Sequence, residues 1–291
     1  MAELMQLTSK HANALVAHID GLPAMPAAAM RLLSAVGRNL DFSQIDAIVR
    51  SDEAIAARVL RIANSVIYNP RGSTVLLPEA VRRLGTRALV RIAMETEVGG
   101  LLAEGGRAYG MRRGELSEAS VGGAVAAGLI ARRVGADEGI CFAGALLRDV
   151  GKIVIDALAG PAALESLADR SEGMPFLDCE LEAFGADHAE LGAALALQWK
   201  LPTPIARLIR LHHTPPQDPI DPCCDVVHAA DWVARFAGLG LGADGMLYPF
   251  DRGARERLGL TRSDLEPLVI AVLTETAAQR TATKLAFGRS T

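Results

Sequence analysis

Apolar residues recur at spacings of three and four along almost all of the 291-residue chain. That is the period of amphipathic helices rather than of strands. From Ser43 to Asn64, the positions Ile45, Ile48, Val49, Ile55, Val59, Leu60 and Ile62 fit two short helices broken near Ser51-Asp52. Residues 27–36 and 79–96 carry the same pattern, and Tyr68-Asn69-Pro70-Arg71-Gly72 is a loop by its Asn, Pro and Gly. Further helices are predicted at 115–134, 137–147, 150–159, 162–171, 175–184, 188–199, 204–212 and 222–237. A Gly-rich stretch then runs to about Thr261. The last helix opens with Ser263 and Glu266 as a capping box and places Leu265, Val269, Val272 and Thr276 on one stripe. No alternating run bounded by turn signals makes a strand, so the predicted fold class is all-α.

Within 115–134, Gly122, Gly123, Ala124, Ala126, Ala127 and Gly128 are small enough for a neighbouring helix to approach closely. Glycines weaken a helix, so tight packing is the expected compensation. Half of the residues are apolar, 22% are charged and only 4% are aromatic. This composition excludes a disordered, collagen-like or disulfide-scaffold chain. No apolar stretch reaches the roughly 18 to 20 residues of a membrane span, and MAELMQLTSK lacks the basic and apolar blocks of a secretory signal. A cytoplasmic protein without membrane association is expected. Cys141, Cys179, Cys223 and Cys224 form no CxxC pair and are read as reduced thiols.

The net charge of −4 argues against a general nucleic-acid binder. Arg83, Arg87 and Arg91 do recur every four residues, a stripe that could meet an anion or an acidic partner, but aromatics are absent and acidic residues intervene. A solvated helix face is the simpler reading, and DNA binding is not expected. Gly240-Leu241-Gly242-Ala243-Asp244-Gly245 matches GxGxxG literally, yet it follows a helix instead of a strand. It is read as a mobile surface loop. Likewise Asp244 to Pro249 echoes a Gly-Tyr-Pro signature only by coincidence. No nucleophile elbow, P-loop or Ser-His-Asp order is present.

The histidines are more informative. Arg148-Asp149 joins two predicted helices, His188 opens another, His212-His213 closes one, and His228 and Asp231 stand three apart on a helical face. Imidazoles and carboxylates held by separate helices are how helical bundles build metal sites.

At this point the chain resembles a known family. Gly21-Leu22-Pro23-Ala24-Met25-Pro26, Ser51-Asp52-Glu53-Ala54 with Arg58 to Ser65, and Ala80-Val81-Arg82-Arg83-Leu84-Gly85 look like the first half of an HDOD domain. Phe142 to Lys152, Asp187 to Gly192, Trp199-Lys200-Leu201-Pro202 and the stretch from Ile209 to Pro215 look like the rest. The resemblance implies an all-α, two-lobed bacterial signalling module related to the HD phosphohydrolases and the HD-GYP phosphodiesterases of cyclic di-GMP. It covers residues 18–215, with one lobe at about 18–105 and an HD-like lobe at about 112–215. Residues 216–291 are expected as a helical extension packing on the HD-like lobe.

Carried over position by position, the related hydrolases' metal ligands fall at Ala119, Arg148, Asp149, His188, His212 or His213, and Asp231. Ala119 and Arg148 cannot serve. A guanidinium stays protonated, and at roughly 4 Å with an effective dielectric of about 20 it would repel a dication by on the order of 8 kcal/mol. The resemblance therefore implies a degenerate site with no metal, no cofactor and no catalysis. Arg148 is expected to ion-pair with carboxylates such as Asp231 or to offer a fork to a small anionic ligand. Partners are expected among other signalling proteins, in two-component or cyclic di-GMP pathways, recruited in trans. A metal-dependent phosphohydrolase is the alternative.

Overall fold

A computed structural model describes residues 7–34, 41–65, 69, 72, 75–159 and 174–287. Among these, helices account for nearly all regular structure and no strand occurs, apart from one isolated bridge between Gln217 and Ile220. The chain is all-α. In order the helices are α1 (Lys10–His18), α2 (Ala27–Ser34), α3 (Phe42–Ser51), α4 (Glu53–Ala63), α5 (Leu77–Leu102), α6 (Glu115–Val134), α7 (Glu138–Leu147), α8 (Gly151–Ala159), α9 (Phe176–Phe184), α10 (His188–Gln198), α11 (Thr203–Leu211), α12 (Pro222–Phe236), α13 (Arg252–Leu258) and α14 (Arg262–Phe287). The predicted helix at 162–171 lies outside the described residues.

Helix ends follow local chemistry. Asp41 and Gln44 form a capping box for α3, and Asp52 both ends α3 and caps α4 by accepting from the Ile55 amide at 2.9 Å. The predicted break at Ser51-Asp52 is therefore a cap. α5 begins before Glu79 and bends at Gly85, whose φ of 74° a side chain would strain. Three details differ from the sequence reading. α1 was not anticipated, and α13 lies inside the stretch read as loop, started by the Asp251 side chain on the Ala254 amide at 2.7 Å. The start of α14 is held by Asp264, which accepts from the Thr261 amide at 2.8 Å and hydroxyl at 2.6 Å, in place of the Ser263–Glu266 box.

α2, α3 and α4 pack on α5, which adjoins α6. α6 is the axis of the remainder: α7, α12 and α14 all lie against it, and its face from Ala119 to Ala127 is wholly buried. α1 packs on α10, far away in sequence, and the Ser9 amide donates to Glu190 at 2.7 Å. α8 approaches α10 closely at Gly151. A Cβ on Gly151 would stand 1.8 Å from the His188 carbonyl oxygen and 2.6 Å from the Gly192 nitrogen. Only hydrogen fits there, and the contact brings the start of α8 beside His188.

Candidate functional site

The tight turn between α7 and α8, with the Val150 amide on the Leu147 carbonyl at 2.9 Å, directs Arg148, Asp149 and Lys152 inward. Arg148 is only 1% exposed. Its Nε donates to Asp231 of α12 at 2.7 Å, Nη1 to the Ala145 carbonyl at 2.9 Å and Nη2 to the Ala119 carbonyl at 3.2 Å. Asp149 Oδ2 lies 3.2 Å from the same Nε. Every guanidinium nitrogen thus donates within the protein, which favours the internal ion pair over the open fork among the two roles expected for Arg148. Room for it comes from α6: a Cβ on Gly123 would be 2.3 Å from Nη1.

The ion pairs continue away from Arg148. Asp231 also accepts from Arg235 Nε at 3.0 Å. Asp244 receives Lys152 at 2.8 Å and Arg235 at 3.4 Å, and Lys152 returns to Asp149 Oδ1 at 3.2 Å. Burial pushes the Asp149 carboxyl up, but Lys152 and Arg148 outweigh it and hold it well below the usual carboxylate range. Asp231 is lowered likewise, with Arg235 and Arg148 overcoming its burial. Lys152 loses to desolvation but gains more from Asp149 and Asp244, so its ammonium is stabilised.

Three imidazoles converge on the other side of Asp149. His188 opens α10, whose cap is the Asp187 side chain on the Glu190 amide at 2.7 Å. Its own amide donates to Glu180 Oε2 at 2.7 Å and its Nδ1 to the same oxygen at 2.8 Å, while the Tyr109 hydroxyl donates to Glu180 Oε1 at 2.6 Å. His212 sits at the end of α11 with Nδ1 on the Ile209 carbonyl at 2.7 Å. These partners turn both Nε2 atoms toward each other, 3.4 Å apart, and His213 Nε2 stands 3.1 Å from His188 Nε2. Burial and the neighbouring His188 push His212 down to about 3. His213 is held well below the ordinary imidazole value too, by burial and by His212, whereas Glu180 overcomes burial and raises His188.

His188, His212 and His213 are the group of potential metal-ligating side chains found among the described residues. The two-ion centre that the fold family implies does not fit. Ala119 offers a methyl where an imidazole would be required, and the chain closes over it: a Cβ on Gly240 would be 2.5 Å from that methyl. Arg148 fills the space between Asp149 and Asp231. His228 stands outside the group; its Nδ1 donates to the His212 carbonyl at 2.8 Å and its Nε2 accepts from the Asp251 amide at 2.8 Å.

The loop read as mobile surface is instead part of this core. Leu239, Asp244 and Tyr248 are buried, the Ala243 amide donates to the Tyr109 carbonyl at 2.7 Å, and Tyr248 stacks on His213 with ring centroids 3.9 Å apart. Its glycines serve packing, since a Cβ on Gly242 would lie 2.6 Å from the Tyr109 carbonyl oxygen. Sequence reasoning also gave no role to Tyr109, Glu180 or Arg235. The stripe on α5 lies apart from the buried cluster and is paired: Arg83 with Glu79 at 2.8 Å, Arg87 with Glu138 at 3.5 Å and Arg91 with Glu95 at 3.6 Å. Among the described residues no helix is long and apolar enough to cross a membrane.

This all-helical architecture is shared with solved bacterial structures. An HDOD domain protein of unknown function from Geobacter sulfurreducens is 23% identical, with 97% of each chain covered and a TM-score of 0.70. A Marinobacter aquaeolei VT8 protein is 20% identical over 97% of this chain and 67% of that one, with a TM-score of 0.68. A Shewanella amazonensis SB2B protein is 23% identical over 89% and 98%, at 0.60. The class is thus a helical HD-type fold. The family is narrower: residues 22–215 match the HDOD domain model, and the chain belongs to the HDOD family. An uncharacterized Treponema pallidum (strain Nichols) protein is 30% identical over 246 residues, covering 80% of this chain; the chain spans about half, 46%, of that relative's length.

Proposed function

We propose that this HDOD protein is a non-catalytic regulator in bacterial signal transduction that acts through contacts with other signalling proteins. The observation that carries this reading is Arg148, 1% exposed and paired with Asp231 at 2.7 Å and Asp149 at 3.2 Å. A hydrolase of the related class needs a metal ion and its activated water in that space. A charge clamp there holds helices together and activates nothing. Asp149, His188, His212 and Asp244 are equally buried, so a phosphodiester would have to open the core to reach them. The Marinobacter aquaeolei neighbour is named as a signal transduction protein, provisionally.

The convergence of three imidazoles favours a second reading, a phosphohydrolase, and the Shewanella amazonensis neighbour is provisionally named as one. Hydrolysis of bis(p-nitrophenyl) phosphate with excess Mn²⁺ separates the two. Wild type and Asp149→Ala are expected to be indistinguishable from buffer; turnover by wild type that Asp149→Ala abolishes would establish the enzyme.

A further inference from the structure

We propose that Cys141 and Cys223 form a reversible disulfide joining α7 to α12 when the chain meets hydrogen peroxide, with Cys223 as the attacking sulfur and Cys141 as the resolving one. This modification site goes beyond the signalling role and involves none of the histidines.

The register of the two helices comes first. α7 and α12 pack on each other, and the contact between Arg148 and Asp231 at 2.7 Å fixes their alignment at one end. Cys141 lies seven residues before Arg148, and Cys223 lies eight before Asp231. At about 1.5 Å per residue both sit about 10 to 12 Å back along their helices, so helices running the same way bring the two cysteines level. The side chains meet there: the Cys141 thiol donates a hydrogen bond to the Cys223 sulfur, and the Asp137 amide at the start of α7 donates to it as well. Thiols in such contact need only a small side-chain rotation to reach a bond length of about 2.05 Å.

Surroundings separate the two roles. All four cysteines are free thiols, but Cys223, the second residue of α12, is only half-buried while Cys141 and Cys224 are buried. A helix N-terminus favours the thiolate, the form that reacts. The hydrogen bond from Cys141 holds Cys223 below the ordinary thiol value, against burial and Asp221. The same bond, together with burial, pushes Cys141 up. One sulfur is thus accessible and inclined to ionise, and its neighbour keeps its proton until the second step. Cys224 is poorly suited to resolve: burial and Asp221 raise it, and a vicinal disulfide would distort the first turn of α12. Asp221 holds that turn through the Cys223 amide at 3.0 Å and the Cys224 amide at 3.4 Å.

In the first step Cys223 Sγ attacks one oxygen of hydrogen peroxide. An S–O bond forms, the O–O bond breaks, and the departing hydroxide takes up the proton lost by the Cys223 thiol to become water, leaving a sulfenic acid. The Cys141 sulfur then attacks the Cys223 sulfur. The S–S bond forms, the S–O bond breaks, and hydroxide leaves as water with the Cys141 proton. Two thiols lose two electrons, and one peroxide becomes two waters. A dithiol reverses the change by exchange. The bond ties the same helices as the Arg148–Asp231 pair and so locks the clamp.

The test uses reduced full-length protein, freed of reductant and exposed to a small excess of hydrogen peroxide. Thiols counted after unfolding should fall from four to two, and dithiothreitol should restore all four. Non-reducing peptide mass mapping of the wild type needs no variant and should find Cys141 joined to Cys223. The oxidised monomer should melt several degrees above the reduced one, because the bond links positions 82 residues apart. Cys141→Ser should stop at a Cys223 sulfenic acid that dimedone traps, Cys223→Ser should lose no thiol, and Cys179→Ser should form the bond as wild type does. Four thiols surviving in the wild type, a bond from Cys223 to Cys224 or between two chains, or an unchanged or lowered melting temperature overturns the inference. None of these outcomes touches the phosphodiester assay, so the two readings fail separately.

Discussion

At the scale of single residues, the site depends on one position that must be small and one that must be charged. Arg148 reaches Asp231 only because Gly123 lacks a Cβ, which would stand 2.3 Å from Nη1. Gly128, one and a half turns further along α6, has nothing nearer than 3.7 Å. Gly123→Ala is therefore expected to lose about 1–3 kcal/mol by overpacking, whereas Gly128→Ala should gain about 0.5–1 kcal/mol of helix propensity. Urea denaturation of the two variants measures both signs. If both stabilise, the guanidinium is not confined against α6. The pairing of Arg148 with Asp231 was legible in the sequence, since a buried cation requires a carboxylate and Asp231 stood at a ligand position. The Tyr109–Glu180 contact was not legible, because it joins residues 71 apart and no local spacing encodes it; Arg235, one helical turn from Asp231, carried a local signal that went unread.

Among the elements, boundaries written in caps were readable and those decided by tertiary burial were not. Asp52 announced the break between α3 and α4, and its side chain does cap α4. Asp52→Ala should cost about 1 kcal/mol, with Asp52→Asn close to wild type; equal losses in the two, read from thermal unfolding, would mean that the charge and not the cap matters. The stretch from Gly240 to Pro249 shows the opposite case. Its glycines read as surface mobility, yet they permit close approach to Tyr109 and Ala119, while Asp244 and Tyr248 enter the core. Composition alone does not separate a glycine that frees the backbone from one that lets two backbones touch. α12 shows a related limit. It follows the residues that match the family, yet it brings Asp231 and Arg235 to the centre.

For the molecule as a whole, the buried clamp ties α6, α7, α8 and α12 together and makes stability depend on acid. Asp149 and Asp231 have folded pKa values depressed by Lys152, Arg148 and Arg235. Their contribution is complete above the unfolded carboxylate value of about 4 and is lost as pH falls through the lower folded values. The urea midpoint should therefore begin to fall below about pH 6.5, where His212 and His213 stay neutral in the fold but protonate when unfolded, and drop more steeply below about pH 4 as the carboxylates are lost; a midpoint flat down to pH 3 would mean that these groups are neither buried nor ion-paired in solution.

The most direct measurement is anomalous diffraction from crystals grown with excess Mn²⁺. The space between Asp149 and Asp231 is predicted to hold the Arg148 guanidinium and no ion. An ion bound by both carboxylates, with Arg148 turned aside, would contradict the assignment of this chain as a regulator rather than a hydrolase.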